Sequence, residues 1–503
     1  MRLGAWIGCR YYYSTASLTD FLSAPIQISA RRTLADIAVQ IAGRFANLGL
    51  GVVVTLVIVR SLGASGFGVW STVFAVSQIA SNFGELGIGQ VAVARAASDR
   101  PRAADWLGSL VTLRLLLAVP VSIASAIAVY LIAPTHDGQV AGVLISLTLL
   151  LSAPAALTAV FQLRVRNDIS IALLTLNSIL WAGAVLAIAA GPGGIVAFAA
   201  AFLAVSVVTT TVTVLIATRM LPLHVRGSTA RWPELARVGI TLGAAGILVT
   251  LYVKLDQVLV LTLAGSHEAG LYGADYRVLD QIQFIPASVM TTLFPLIASS
   301  YPENMERVRR LLQLTGEYLS LASLPILVFT IVNADSIVRI LFGKEFAGAA
   351  PALPVLMGAF VSISFGYLVG NMVVIVQTQR AFLYFAALGL FINAALNLLL
   401  IPKYGFIAAA WITLLTEFTV MTLTARGILR RLDMRPALGR IARIGAAASM
   451  MGVLTLISRE AGAPFIVNVA VAVVSYLVLI RLFRVISLAE VRAVLAKEPI
   501  TLS

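Results

Sequence analysis

The sequence predicts an all-α integral membrane protein: about 14 transmembrane helices, arranged as two parallel six-helix lobes plus two C-terminal helices. Composition is the first observation behind this. Of 503 residues, 60% are hydrophobic and only 12% charged, whereas a soluble domain carries roughly 25% charged residues. Spacing is the second. Apolar runs of about 20 residues, the length that crosses a hydrocarbon core roughly 30 Å thick, recur from residues 37–59 to residues 462–482, separated by short segments rich in Arg, Gly and Pro. The third is the lack of short segments alternating polar and apolar residues, which a membrane barrel needs. Backbone polar groups in lipid are otherwise satisfied only inside helices.

The order of the runs sets the domain boundaries. Residues 1–33 read as a cytoplasmic N-terminal flank, 34–218 as a six-helix lobe, and 219–235 as a cytoplasmic interlobe loop. Residues 236–430 form the second six-helix lobe, 431–485 an extra helix pair, and 486–503 a cytoplasmic tail. In the flank, Tyr11-Tyr12-Tyr13 precede a Ser/Thr-rich run, and Arg10 interrupts the short apolar stretch, so no signal peptide is expected. In the tail, Ser487 with Glu490 three residues later resembles a capping box opening a short amphipathic helix through Leu495.

The two lobes echo each other. Leu62-Gly63-Ala64-Ser65-Gly66-Phe67-Gly68 follows the first span and Leu263-Ala264-Gly265 through Gly270-Leu271-Tyr272 follows the seventh, which puts Gly68 and Gly270 202 residues apart. Gly194 between spans five and six parallels Gly405 between spans eleven and twelve, 211 residues apart. Each repeat has an even number of helices, so the two run parallel.

Charge placement gives orientation. With the N-terminus cytoplasmic, 27 of the 36 Lys and Arg residues fall on the inner side. The outer side holds five: Arg60, Arg339, Lys344, Lys403 and Arg459. This is the positive-inside bias, and it places both termini in the cytoplasm of a cell whose inner membrane the chain spans many times. The net charge of +14 is scattered over short loops facing anionic lipid heads, which argues against a nucleic-acid partner. The lone Cys9 and the widely separated His136, His224 and His267 offer no metal-ligand spacing, and no phosphate-binding GxxxxGK[ST] loop occurs. No metal, no cofactor and no catalytic residue is expected. Interhelical segments are too short for a soluble domain, so function must reside between helices.

Polar residues inside spans are therefore the candidates, because a central charge costs roughly 2.5 to 3.5 kcal/mol on insertion scales. In the first span Gln40, Arg44, Asn47, Gly51 and Thr55 share one helical stripe, and in the second Gln78, Asn82, Glu85 and Gly89 do so. Gln40, Asn47, Gln78 and Asn82 are expected to line a cavity or to bond helix to helix. Span seven carries Lys254 and Asp256, which point to nearly opposite sides of an ideal helix. Span eight carries Asp275, Arg277 and Asp280, of which the last two are spaced to pair across one turn. Arg114 in span three and Glu417 in span twelve complete the set, and Pro286 and Pro295 are expected to kink span eight. A cavity lined by Arg44, Lys254, Arg277 and Arg114 suits phosphate oxygens. Glu85, Asp256, Asp280 and Asp275 are candidates for an ion-coupling or cavity-pairing role.

With these residues in place, the chain resembles the oligosaccharide flippases, of the O-antigen or exopolysaccharide type, in the multidrug/oligosaccharidyl-lipid/polysaccharide exporter superfamily. The resemblance rests on Leu62-Gly63 through Phe67-Gly68-Val69-Trp70; Leu86-Gly87-Ile88-Gly89; Leu255-Asp256-Gln257-Val258; Ala269-Gly270-Leu271-Tyr272 with Tyr276-Arg277; and Leu400-Ile401-Pro402-Lys403-Tyr404-Gly405. It implies a central cationic cavity and alternating access that moves a polyprenyl-diphosphate-linked glycan outward, with Arg44 and Arg277 in the places that contact diphosphate or sugar. Membrane lipids, glycosyltransferases and a polysaccharide polymerase are the partners it implies. Two alternatives stand beside it. A drug or cation antiporter on the same scaffold should favour an acidic cavity, and a membrane-embedded glycan polymerase or ligase normally needs a sizeable outer loop.

Overall fold

The computed structural model describes residues 30–164, 166–221, 229–435 and 438–485. The chain divides into two compact units, Met1–Ala46 and Asn47–Ser503. In the first the backbone is helical from Ala30; the side chains of Gln40 and Arg44, like the tail expected to form a short helix near Ser487, lie outside the described residues. The second unit holds both lobes.

Its N-terminal lobe is built from the part of α1 (Ala30–Glu85) beyond Ala46, α2 (Ile88–Ser98), α3 (Ala103–Ile132), α4 (His136–Leu147), α5 (Ser152–Ala155), α6 (Thr158–Leu163), α7 (Asn167–Ala189) and α8 (Ile195–Met220). The short α4, α5 and α6 together make one irregular crossing, loosened around Pro154. The C-terminal lobe follows with α9 (Trp232–Ala264), α10 (Ser266–Ile282), α11 (Phe284–Ser300), α12 (Met305–Phe342), α13 (Leu353–Ile375) and α14 (Gln379–Arg431), and α15 (Leu438–Glu460) and α16 (Phe465–Leu482) close the chain. Helix α10 gives way to α11 at Gln283, three residues before Pro286. A proline there cannot donate to the carbonyl of Ile282, which explains the break, while Pro295 is carried inside α11.

Among the described residues, twelve stretches are long and apolar enough to cross a membrane. Two of them are hairpins. Helix α14 has 53 residues, about 80 Å if straight, yet Asn397 and Thr413 both bond the same Asp256 carboxylate. They lie eight residues either side of Gly405, whose φ of 60° only glycine adopts at no steric cost. Chain reversal at Gly405 brings the two arms side by side. Helix α1 turns at Gly63 (φ 64°) in the same way: Gly51 before it lies near Gln281 of α10, and Gln78 after it lines one cavity with Asp280 of that helix. Each hairpin supplies two crossings, which brings the total to the expected fourteen. Leu131, Phe391 and Ile466 are 70–76% exposed, as lipid-facing side chains should be and a water-soluble protein could hardly tolerate in such numbers.

Where apolar contacts gather defines the shape. At the end bearing the turns Gly63, Gly265 and Gly405, both lobes share one core: Val59, Trp70 and Phe198 join Tyr272, Phe342 and Phe406. Toward the opposite, arginine-rich end the core splits. One cluster (Ile88, Trp106, Val160, Leu235) belongs to the N-terminal lobe and the start of α9, another (Met290, Val308, Met372, Ile428) to the C-terminal lobe. The lobes share one core at the glycine-turn end, and at the other end α9 of the C-terminal lobe packs on the N-terminal lobe, with Leu86-Gly87 against Gly239 and Gly243 and Arg231 paired to Asp105 at 3.2 Å. Helices α15 and α16 pack on α12, held by Arg440–Glu317 (2.8 Å), by the Tyr476 hydroxyl donating to the Leu321 carbonyl (2.9 Å), and by Arg459–Asp335 (3.5 Å).

The join is backbone on backbone. A Cβ on Gly68 would collide with the Ser266 carbonyl oxygen, and one on Gly270 with that of Ala64, so the residues equivalent by repeat meet each other, as small residues do where membrane helices cross closely. Trp70, on the far side of the same motif, stacks on Trp181 and meets Phe198 edge-on. Two polar latches flank the crossing. Glu345 accepts from the Ala64 N–H (2.7 Å), capping the second arm of α1, and Arg60 donates to the carbonyls of Ile340 and Leu341 (2.7 and 3.2 Å) at the end of α12. Gly270→Ala should therefore force this end apart. In a Cys9→Ala background, Ser71→Cys should resist a membrane-impermeant maleimide added on the glycine-turn side, and adding Gly270→Ala should make it reactive from that side.

Candidate functional site

Below the glycine crossing a small polar cavity, part of it open to the outside, lies between the lobes. Its walls come from three helices: Ser71, Phe74 and Gln78 from the second arm of α1, Lys254 and Gln257 from α9, and Tyr272, Tyr276, Arg277 and Asp280 from α10. The roof is polar. The Gln257 amide donates to Ser71 Oγ (3.0 Å) and to the Ala269 carbonyl (2.9 Å), tying α9, α10 and α1 together where the cavity ends.

Its charge is uneven. Lys254 Nζ lies 3.3 Å from Asp280 Oδ2, with the two side chains 17% and 29% exposed, and sits 4.8 Å above the Tyr276 ring. The pairing expected between Arg277 and Asp280 along one helix does not form; Asp280 takes the cation from α9 instead. An i,i+3 pair on a helix is worth only about 0.2–0.5 kcal/mol, so a partly buried cross-helix pair readily displaces it. Arg277, half-buried on the cavity wall, has no ion pair or hydrogen bond among the described residues. The lining therefore carries one neutralised cation and one free guanidinium.

The other candidates sort by position. Gln78 lines the cavity. Asn82 donates to the Gln78 carbonyl one turn back (3.0 Å), and Asn47 Nδ2 to Thr175 Oγ1 of α7 (3.2 Å), a helix-to-helix bond inside the N-terminal lobe. Arg114 does not belong to the cavity lining. It pairs with Glu85 at 2.7 Å where α1 gives way to α2, so both are engaged within the N-terminal lobe. Asp256 points away from Lys254, as the helical phase requires, into a fully buried knot: Thr413 and Tyr272 hydroxyls donate to Oδ2 (2.6 and 3.1 Å) and Asn397 Nδ2 to Oδ1 (2.9 Å). Asp275 is also fully buried, but neither of its oxygens has a partner among the described residues.

Sequence reasoning missed Gln257, Ser71, Arg60 and Glu345. The first two are ordinary polar residues inside apolar runs, and the last two look like loop charges, so nothing local marks them as interlobe contacts. The i,i+4 pair Asn393 and Asn397 was a readable sign of a polar face in span eleven; Asn397 donates to Asn393 Oδ1 (3.1 Å) as well as to Asp256. Among the described residues no three His, Cys, Asp or Glu side chains gather as a metal site.

Comparison with known proteins agrees with this architecture. A family model described as polysaccharide biosynthesis protein matches residues 57–351. The capsular polysaccharide biosynthesis protein CapF of Staphylococcus aureus is 20% identical over 203 residues, 40% of this chain and half the length of that protein. Among solved structures, the lipid II flippase MurJ in an inward closed conformation superposes with a TM-score of 0.70 at 13% identity, covering 89% of this chain and 98% of MurJ. A multidrug resistance MATE family transporter in an inward-facing conformation gives 0.61 at 13% identity, covering 76% and 94%. The MATE multidrug transporter DinF-BH gives 0.59 at 17% identity, covering 77% and 92%.

Because their surroundings differ, Asp256 and Asp280 should respond unequally to substitution. Asp256→Ala strands three buried donors and should cost about 3–5 kcal/mol, whereas Asp280→Asn leaves the partly exposed Lys254 without its counter-charge and should cost less, about 1–3 kcal/mol. Thermal unfolding of the purified chain in detergent compares them directly.

Proposed function

Since the chain belongs to the family of polysaccharide biosynthesis proteins, whose model spans residues 57–351, we propose that it carries a lipid-linked saccharide across the cytoplasmic membrane by alternating access of its two lobes. The observation that supports this most is the free Arg277 guanidinium on the wall of a blind cavity between the lobes. A cation held in a low-dielectric interior without a protein counter-charge is costly, and a phosphate-bearing ligand supplies the missing partner through bidentate hydrogen bonds. Lys254 stands on the same wall, held by Asp280 and lying over the Tyr276 ring, and Phe74 adds an aromatic surface. The lipid tail remains in the bilayer while the head enters between the lobes.

In this reading the arginine-rich end faces the cytoplasm and both termini are cytoplasmic; substrate made there enters when the contact of Leu86-Gly87 with Gly239 and Gly243 opens. Opening for release requires the Gly68–Gly270 crossing and the Arg60 and Glu345 latches to part. Arg44 is proposed as a second phosphate contact, and Arg114, paired with Glu85, as a secondary one that would need that pair to open. An ion gradient or downstream consumption of the product drives the cycle. Glycosyltransferases supply the substrate and a polymerase consumes it. The chain itself carries out no covalent chemistry.

A drug or cation antiporter is the second reading, favoured by the MATE-like fold. Lys254, Arg277 and Asp280 leave the lining net positive, which disfavours cationic cargo. Arg277→Ala at unchanged expression should lower surface polysaccharide roughly tenfold to a hundredfold, the equivalent of one charged hydrogen-bonding group. Undiminished polysaccharide would exclude the cationic cavity as the binding site.

A further inference from the structure

Building on the transport reading above, we propose that Asp275 is a proton-binding site through which the movement of α10 is coupled to a proton gradient. The side chain is 0% exposed, and neither carboxyl oxygen has a hydrogen-bond or ion-pair partner among the described residues. Asp256, equally buried and also in the C-terminal lobe, is by contrast satisfied by three donors, one from α10 and one from each arm of α14. An ionised carboxyl with none costs several kcal/mol, while the neutral acid avoids most of that penalty. A metal cation is a poor occupant, because it needs several oxygen ligands at once and no polar atom among the described residues reaches Asp275. A proton is the one cation that needs nothing beyond the carboxyl itself.

The surroundings carry no alternative partner. Along its own helix, Glu268 caps the second arm of α14 by accepting from the Phe406 N–H (3.1 Å), and Tyr272 and Tyr276 donate to Asp256 and to the Val253 carbonyl. Asp280 holds Lys254, and Arg277 faces the cavity. Of the elements packed on α10, α9 contributes Lys254 and Asp256, the 3-10 turn Lys344–Ala349 contributes Lys344 and the Glu345 that caps Ala64, and α14 contributes Lys403 and Glu417. The part of α1 near the crossing brings Arg60, held by α12 carbonyls, and α13 carries no charged residue. None of these groups bonds to Asp275.

Position makes the site useful. Asp275 lies ten residues from the turn at Gly265, about 15 Å along the helix, which is halfway through a hydrocarbon core of roughly 30 Å. One turn before it, Leu271 Cδ1 lies 3.1 Å from where a Cβ on Gly348 would be, so this flank of α10 is seated against the Lys344–Ala349 turn. The opposite flank carries Gly270 and Gly273, which form the lobe crossing, and Arg277 beyond them. Release of the crossing therefore shifts the helix that holds Asp275. Once α10 leaves its seat, water reaches the carboxyl and takes the proton as hydronium, leaving a carboxylate that must take up another proton before α10 can seat again.

Infrared spectroscopy of the purified full chain in lipid tests the site without any substrate. At about pH 7 the wild type should show a protonated-carboxyl C=O band sensitive to H₂O/D₂O exchange. That band should be lost in Asp275→Asn, retained in Asp275→Glu at a shifted position, and retained in Asp256→Asn and Glu417→Gln. A band unchanged in Asp275→Asn, or none in the wild type, overturns the proposal. In cells relying on the variant as their sole copy, Asp275→Asn should lower surface polysaccharide about tenfold, and undiminished output overturns the coupling role. Were polysaccharide to persist with the whole chain removed, the transport reading and the coupling would fall together, while loss of the band in Asp275→Asn would still establish the proton site.

Discussion

Charge held away from water must find a partner, and this constraint orders the interior of the molecule. Asp256 gathers donors from α10 and both arms of α14, Glu317 takes Arg440, Arg114 takes Glu85, and Lys254 takes Asp280. Each also joins one helix to another, so the polar groups hold the bundle together where lipid offers no hydrophobic drive between helices. Among the described residues Arg277, Asp275 and Glu417 depart from the rule. Arg277 faces a cavity that can admit an anion, and Asp275 a dry packed flank that can admit only a proton.

The cavity exists because of the glycine crossing. Helices approach at backbone distance only where side chains are absent, and Gly68 and Gly270 provide that at one end of the bundle. The lobes share one apolar core there and two separate cores toward the other end. Contacts at the crossing are thus concentrated enough to break as a unit. Latches of the kind Arg60 and Glu345 make, to backbone groups at helix ends, can be exchanged for water without leaving a buried charge behind.

Much of this was legible in the residues. Apolar runs of bilayer length, arginine-rich joints between them and the matching Gly68 and Gly270 motifs led to fourteen crossings in two lobes, and helical phase separated Lys254 from Asp256. What sequence spacing could not settle was choice of partner. Arg277 and Asp280 are correctly spaced to pair, but Lys254 on a neighbouring helix wins, a decision made by tertiary proximity. Arg114 looked like a cavity cation because Glu85 lies in another span, 29 residues away. The isolation of Asp275 was invisible, since it depends on what every neighbouring helix fails to present.

The central claim is that an unpaired cation between two lobes receives the phosphate of a lipid-linked saccharide and carries it across. Its most direct measurement is transbilayer movement of a fluorescent polyprenyl-diphosphate saccharide in liposomes containing the purified chain, read by quenching from outside with an impermeant reductant. The wild type should equilibrate the lipid between leaflets while Arg277→Ala stays near the protein-free rate. Movement no faster than in empty liposomes, or equally fast in the variant, would contradict it.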